Sequence, residues 1–450
     1  MLSAIAGLLQ AATGAAQTAP QRAPPDRLTI VLLGDAAFNT ADAPVDAKGI
    51  HNGKQVTSFT DTLAGVAGAV NGNLVVIDLD TVITDRNDLA PEGRGKGTPH
   101  FRSHPAALKA LIDSGFNVFS LANDHAYDYG AQGIEETLYH LALANTERPI
   151  AFAGIGGDFE EAIKPGSLDL GGVRIAFSAI GTMAANRPQS RAGPKKAGQA
   201  SYNDRPDFVA VVDKLAGMPA DYRILSIHDG SEGSMAPDER QLADWRKFAG
   251  GEKGINLIVG HDASAAQGVE LDGNSLIFYG LGNFLEPGTA DPARLGICRD
   301  YGLMAKVHLA RIAGAWRVKA IEAIPLTKTQ SRPEPFAAGE GTERIHVLNH
   351  LASGLDGGGN GNGKGVRFAP RTDGSGLYCA GDAAALGGRI GTLCQGWQPP
   401  GEPGEALAAR IASACKDQAV ASTPAPVKRK VRERKPPPRP SGPFGSFGPR

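Results

Sequence analysis

The chain has no G-x-x-x-x-G-K-[ST] segment, no G-x-S-x-G elbow and no dinucleotide fingerprint, so nucleotide-driven and serine-hydrolase mechanisms lack the residues they need. Cysteine is scarce: Cys298, Cys379, Cys394 and Cys415 all lie late in the chain, with no C-x-x-C or Cys/His spacing of the kind that holds zinc. Cys379 and Cys394 enclose a short Gly-rich segment and form a disulfide if the protein is exported, or stay as two thiols if it is not. Long apolar runs are absent too, and no stretch is suited to spanning a membrane. Nucleic-acid binding finds little support, because aromatics make up 6% of residues and do not interleave with Lys or Arg.

Over its 450 residues the chain is 42% apolar, which suffices for a substantial core. The net charge of −1 conceals an asymmetry: residues 428–450 hold eight Lys or Arg against one Glu, leaving the rest acidic. The sequence divides into residues 1–25, an Ala-rich leader resembling a signal peptide without its positive start; 26–328, the main domain; 329–418, a Gly-rich linker and accessory module; and 419–450, a Pro-rich basic tail. The tail lacks the apolar content to order itself and is suited to contacting anionic lipid or polymer.

Within 26–328, apolar runs such as Leu28–Leu33, Leu74–Ile77, Val118–Leu121, Val173–Ile180, Ile224–Ile227 and Ile255–Val259 alternate with amphipathic stretches such as Pro105–Ser114 and Asp238–Phe248. That pattern predicts a layered α/β fold. Residues 302–325 alternate apolar and polar and predict a hairpin at a sheet edge.

Five polar clusters follow strand-like runs. They supply Asp35; Asp78 and Asp80; Asn123, Asp124, His125 and Asp128; His228, Asp229 and Glu232; and His261, Asp262 and Gln267. Each cluster alone reads as a helix cap or turn, since Asp, Asn and Gly favour those places. Five in succession at strand ends combine hard oxygen donors with imidazoles, which is what a one- or two-ion centre for Mn, Fe or Zn requires.

The same segments carry a resemblance across residues 28–325. L-L-G-D is similar to an opening G-D, D-L-D-T-V-I-T to N-L-E-x-P-x-T, S-L-A-N-D-H-A-Y-D-Y-G to S-L-A-N-N-H-x-x-D-Y-G, H-D-G-S-E-G to H-W-G-x-E-Y, and L-I-F-Y-G-L-G-N-F to I-x-Y-S-L-G-N-F. Together they resemble the CapA family of bacterial capsule and poly-gamma-glutamate synthesis proteins. The resemblance implies a calcineurin-like metallophosphoesterase fold, an α/β/β/α sandwich. It implies Asp35, Asp80, Asp124, His228, His261 and Asp262 as metal ligands, with Asp80 in the bridging place. His125 and Glu232 would be catalytic, and Asp78, Asn123, Asp128 and Asn283 would line the site.

One element departs: the family's G-H-H-P-H is G-H-D-A-S here, so two histidines have become Asp262 and Ser264. Asp262 can replace a ligand, whereas Ser264 is a poor one. Two readings follow: a metal-dependent hydrolase of the envelope acting on a phosphoester or acidic polymer, or a non-catalytic relative that binds an anionic polymer or supports other capsule assembly proteins. The centre would hold one ion, two, or none.

Overall fold

The computed structural model describes residues 25–52, 55–92, 99–182, 188–231, 233–250, 253–356 and 365–416. The leader and the basic tail lie outside them. The first apolar run forms β1 (Arg27–Ala36), followed by α1 (Phe59–Leu63), β2 (Leu74–Leu79), α2 (Pro105–Asp113), β3 (Val118–Ser120), α3 (Gly130–Glu147) and β4 (Ala151–Ala153). The four strands run parallel in the order β1-β2-β3-β4. Helix α2 begins with Pro105 at its first position and His104 as cap, its ring nitrogen accepting from the Ala106 N–H at 3.0 Å. It buries Ala107, Leu108, Leu111 and Ile112, one helical face.

A second sheet follows, made of β5 (Gly166–Asp169), β6 (Arg174–Gly181), β7 (Tyr222–His228), β8 (Leu257–His261), β9 (Val269–Asp272) and β10 (Ser275–Phe278). Its order is β5-β6-β7-β8-β10-β9, with β6, β7, β8 and β10 mutually parallel and the flanking strands antiparallel. Helices α4 (Arg205–Gly217) and α5 (Glu239–Phe248) connect it. A capping box between Asp238 and Gln241 starts α5, which buries Trp245 and Phe248.

Side-chain alternation sorts the core into layers. Ile30, Leu32 and Val76 pack in one cluster with Ile175, Phe177, Ile224, Val259 and Phe278 between the sheets. Val31, Leu33, Val75 and Ile77 turn the other way, onto residues of α1, α2 and α3. Ala176, Leu225, Ile227 and Ile258 pack outward onto residues of α4 and α5. The result is a four-layer α/β/β/α sandwich whose central strands are buried on both faces, which is why they read as continuous apolar runs.

Strand β11 (Asn283–Leu285) returns to pair with the end of β1, and the hairpin β12 (Gly302–Ile312) and β13 (Ala315–Thr327) extends the first sheet. The expectation that this hairpin forms an edge is corrected: β13 pairs on its far side with β15 (Gly376–Cys379), which pairs with β14 (Ala369–Pro370). A long strand left open would expose a row of unpaired backbone groups, and the later segment covers it. Helices α6 (Ala338–Ser353), α7 (Gly388–Cys394) and α8 (Glu405–Ala414) complete the described part. Cys379 and Cys394 are bridged, and a second bridge that the spacing did not suggest joins Cys298 to Cys415 across 117 positions. No helix among the described residues is long and apolar enough to cross a membrane.

Candidate metal centre

The carboxyl ends of β1, β2 and β3 meet those of β7 and β8 at one rim of the sandwich. Strand register aligns Asp35 with Asp78 and Asn283, Asp78 with Ser120, and His228 with His261. Contacts then cross between the sheets. His261 Nδ1 lies 2.6 Å from Asp35 Oδ1, His228 Nδ1 lies 3.1 Å from Asp78 Oδ2, and the Asp262 N–H donates to Asp35 Oδ2 at 3.0 Å. The approach depends on Gly34, where an added Cβ would sit 1.6 Å from the Gly282 carbonyl oxygen. The glycines of L-L-G-D and L-G-N-F therefore touch, and a side chain at Gly34 would force the two segments apart next to Asp35.

Potential ligand atoms gather in three interlocked groups, each within 4.8 Å: Asp35, Asp78 and His261; Asp78, Asp80 and His228; Asp80, Asp124 and His125. Asp78, expected only to line the site, is common to the first two groups. Asp80, expected in the bridging place, is common to the second and third. Asp262 lies 3.7 Å from His228 Nε2, and its second oxygen accepts from the Gly230 N–H at 2.9 Å. It adopts a left-handed backbone (φ 80°), as does Ser264 (φ 55°), so this loop is bent toward the cleft at positions where neither residue is a glycine. Glu232 lies outside the described residues.

The fit of these residues to divalent cations can be tested on the atoms themselves. Asp78 Oδ1, Asp80 Oδ1, His228 Nε2 and His261 Nε2 are buried and make no hydrogen bond. Each such orphan costs roughly 1–3 kcal/mol unless something satisfies it. The five carboxyl groups of Asp35, Asp78, Asp80, Asp124 and Asp262 also outnumber the three imidazoles, and their crowding is a source of mutual repulsion whenever they are ionised. Cations relieve both at once, and the donor set fits them.

Electrostatics separate the roles. Burial would raise the Asp35 carboxyl, but the charge and hydrogen bond of His261 outweigh it and hold the group below its ordinary value. Burial, with Asp124 and Asp78 nearby, pushes Asp80 well up despite His125 and His228. Burial lifts Asp262 to about 6, aided by Asp124 and Asp35 and opposed by His228. His228 is pushed well up, because Asp262, Asp124 and Asp78 overcome the burial that disfavours its charge. Burial likewise opposes the His125 charge, yet Asp124, Asp80 and Asp128 raise it to about 9. Asp128, fully buried, holds His125 Nδ1 at 2.7 Å and accepts from the Phe101 N–H, while the Phe101 ring packs edge-on to the imidazole at 4.4 Å.

These groups open into a cleft of about 580 Å³ lined by Asp35, Asp80, Asp124, His125, His228, Asp262, Ser264 and Asn283. Asp78, Asn123, Asp128 and His261 lie behind that surface, each at most 1% exposed. Asn123 is a brace: its amide donates to the Leu79 carbonyl at 2.7 Å and to Asp78 at 3.3 Å. Glu286, Arg299, Tyr301 and Thr329 are also part of the wall and were not legible as site residues. Glu286 accepts from the Asn283 amide, so L-G-N-F and the loop after it form one side of the cleft.

Carboxylates and imidazoles at facing parallel strand ends, within an α/β/β/α sandwich, define a layered α/β protein with a candidate metal centre between its two sheets. The chain belongs to the family of the bacterial capsule synthesis protein PGA_cap, whose sequence model matches residues 29–287. It is 27% identical over 255 residues to the capsule biosynthesis protein CapA of Bacillus anthracis, covering 55% of this chain and 56% of that protein. It is 30% identical over 187 residues to the PGA biosynthesis protein CapA of Bacillus subtilis, covering 41% and 47% respectively. The chain thus spans about half the length of these curated relatives. Among solved structures, a calcineurin-like phosphoesterase of Bacillus subtilis aligns with a TM-score of 0.38 at 14% identity, covering 73% of this chain and 98% of that one. The NAD nucleotidase of Haemophilus influenzae gives 0.35 at 13%, covering 70% and 60%. These scores are too low to argue from, and the layer order rests on the side-chain clusters described above.

Proposed function

We propose that this protein is a metal-dependent hydrolase of the cell envelope, acting on a phosphoester or an amide-linked acidic polymer of the capsule pathway. The observation that carries this reading is the set of buried, unsatisfied ligand atoms shared between three adjoining groups. Asp35, Asp78, Asp80, Asp124, His228, His261 and Asp262 would hold one or two divalent ions. Such ions supply Lewis-acid charge to a phosphoryl or carbonyl oxygen and acidify water.

The protein's own groups do the rest. Asp128 fixes the His125 ring through Nδ1, leaving Nε2, 3.8 Å from Asp124, on the cleft side. Its carboxylate neighbours favour the charged ring, so His125 is suited to donate to a leaving oxygen or to neutralise charge that develops there. Asn123 and Asp35 orient Asp78 and His261 respectively, so the donors are held before an ion arrives. Location in the envelope agrees with the capsule family and with two disulfides.

A second reading, a relative that binds an anionic polymer without cleaving it, is favoured by one observation: Ser264 lines the cleft where the related motif carries an imidazole. Metal analysis of the purified full chain, with hydrolysis of bis(4-nitrophenyl) phosphate in added Mn, separates the two. The hydrolase reading expects stoichiometric metal that is lost in Asp80→Ala, together with turnover. Protein that takes up no metal would sink it.

A further inference from the structure

One cation in the cleft has no task in the metal centre. Arg299 lines the same cavity as Asp35, Asp80, Asp124, His125 and Asp262. Among the described residues its guanidinium makes no hydrogen bond or ion pair, and its Nε is buried. An arginine beside an excess of carboxylates would normally pair with one of them, because a bidentate Arg–carboxylate contact is among the strongest polar interactions a protein makes. Here it pairs with none of them, and the residues on either side are tied elsewhere. Cys298 is bridged to Cys415 at the end of α8. Asp300 is gripped by Arg344 of α6, whose Nε donates at 3.1 Å and whose second nitrogen also contacts the carboxylate. Arg344 in turn lies over the Phe336 ring at 4.5 Å. Two positions on, Tyr301 belongs to the cleft wall and is buried in the core between the sheets, which anchors this stretch further.

We propose that Arg299 is an oxyanion-recognition site that receives a carboxylate or phosphate of the substrate beside the metal centre. The proposal rests on the hydrolase reading for the identity of the bound molecule as substrate, but its chemistry is separate. The backbone on either side of Arg299 is anchored, and its planar guanidinium offers a pair of parallel donors. The five carboxylates nearby would repel an anion approaching bare, so Arg299 restores a favourable path for the part of the chain that does not react. Because no hydrogen bond or ion pair is given up, replacing Arg299 should cost the fold little.

The test uses the full chain, purified oxidised and loaded with Mn, in direct binding titrations by calorimetry against two probes: an oligomer of γ-linked glutamate and a short inorganic polyphosphate. Metal content, thermal midpoint and turnover of bis(4-nitrophenyl) phosphate are measured alongside. The expected result is salt-sensitive binding of at least one probe, weakened about tenfold or more in Arg299→Gln and less in Arg299→Lys. Thermal midpoint and metal content should not move. The probe with the larger dependence on Arg299 names the anion. Binding of both probes that is unchanged in Arg299→Gln overturns the site, as does failure of the parent to bind either. Failure of the hydrolase reading looks different: no metal-dependent turnover in the parent, with Arg299-dependent binding intact.

Discussion

Asp78 stands where the two halves of the centre meet. It accepts from the Asn123 amide, lies 3.1 Å from the His228 ring, shares its register position with Asp35, and keeps one oxygen unsatisfied. Asp78→Asn retains shape and the contact to Asn123 while removing the charge, so it should fold and bind less than half the metal of the parent, read by elemental analysis. His125 makes a contrasting case, since it belongs to one ligand group but is held by Asp128 for a different job. His125→Asn should leave metal content near that of the parent and lower kcat by roughly 10²–10⁴, the usual contribution of a positioned acid. Loss of metal in equal measure would mark His125 as a ligand and not an acid. Most of these residues were legible in the sequence, because each directly follows an apolar strand run. The central place of Asp78 was not, since D-L-D offers two carboxylates and only the register to β1 and the reach from His228 distinguish them. Arg299 and Tyr301 gave no signal at all: a lone Arg in a loop acquires meaning only from what anchors Cys298 and Asp300.

At the scale of elements, the strands that carry the site were readable because burial on both faces forces unbroken apolar runs, as in Ile30–Leu33 and Ile224–Leu225. The fate of the β12–β13 hairpin was not, since its outer pairing is with residues 376–379, some fifty positions later. That pairing brings a buried charge network with it. Glu322 of β13 lies 2.9 Å from His308 Nε2 on β12 and accepts from Arg371 at 2.8 Å, and His308 Nδ1 reaches Thr29 on β1 at 3.1 Å. Burial would raise the Glu322 carboxyl, but the His308 contact, Lys306 and Arg371 hold it down to about 2. A depressed carboxyl stabilises the folded state above its unfolded pKa and loses that contribution as pH falls through the folded value. The window here runs from about 4.5 down to about 2. Urea melts should therefore show Glu322→Gln less stable than the parent by about 2 kcal/mol at pH 7, with the gap closing toward pH 2.5. A gap independent of pH would mean that packing, not charge, explains the loss.

The whole molecule is closed by covalent links that differ greatly in span. Cys379–Cys394 encloses 15 positions inside the segment that extends the sheet, whereas Cys298–Cys415 encloses 117 and ties the cleft wall to the last described helix. Loss of chain entropy in the unfolded state is worth roughly 3 kcal/mol for a loop of the first size and between about 4 and 5 for one of the second. The double replacement Cys298→Ser with Cys415→Ser should therefore lower the urea stability more than Cys379→Ser with Cys394→Ser, both measured oxidised and without reductant. Its effect should also extend to the site, because Cys298 adjoins Arg299 and a freed wall can let that guanidinium collapse onto the carboxylates. Reduction of the parent should reproduce the combined loss, and the same treatment should leave the quadruple serine variant unmoved. If instead the short bridge proves the costlier to lose, loop entropy does not govern the difference. The stability would then come from the small core around Cys379, Leu377, Ile390 and Cys394, where two buried sulfurs also fill space.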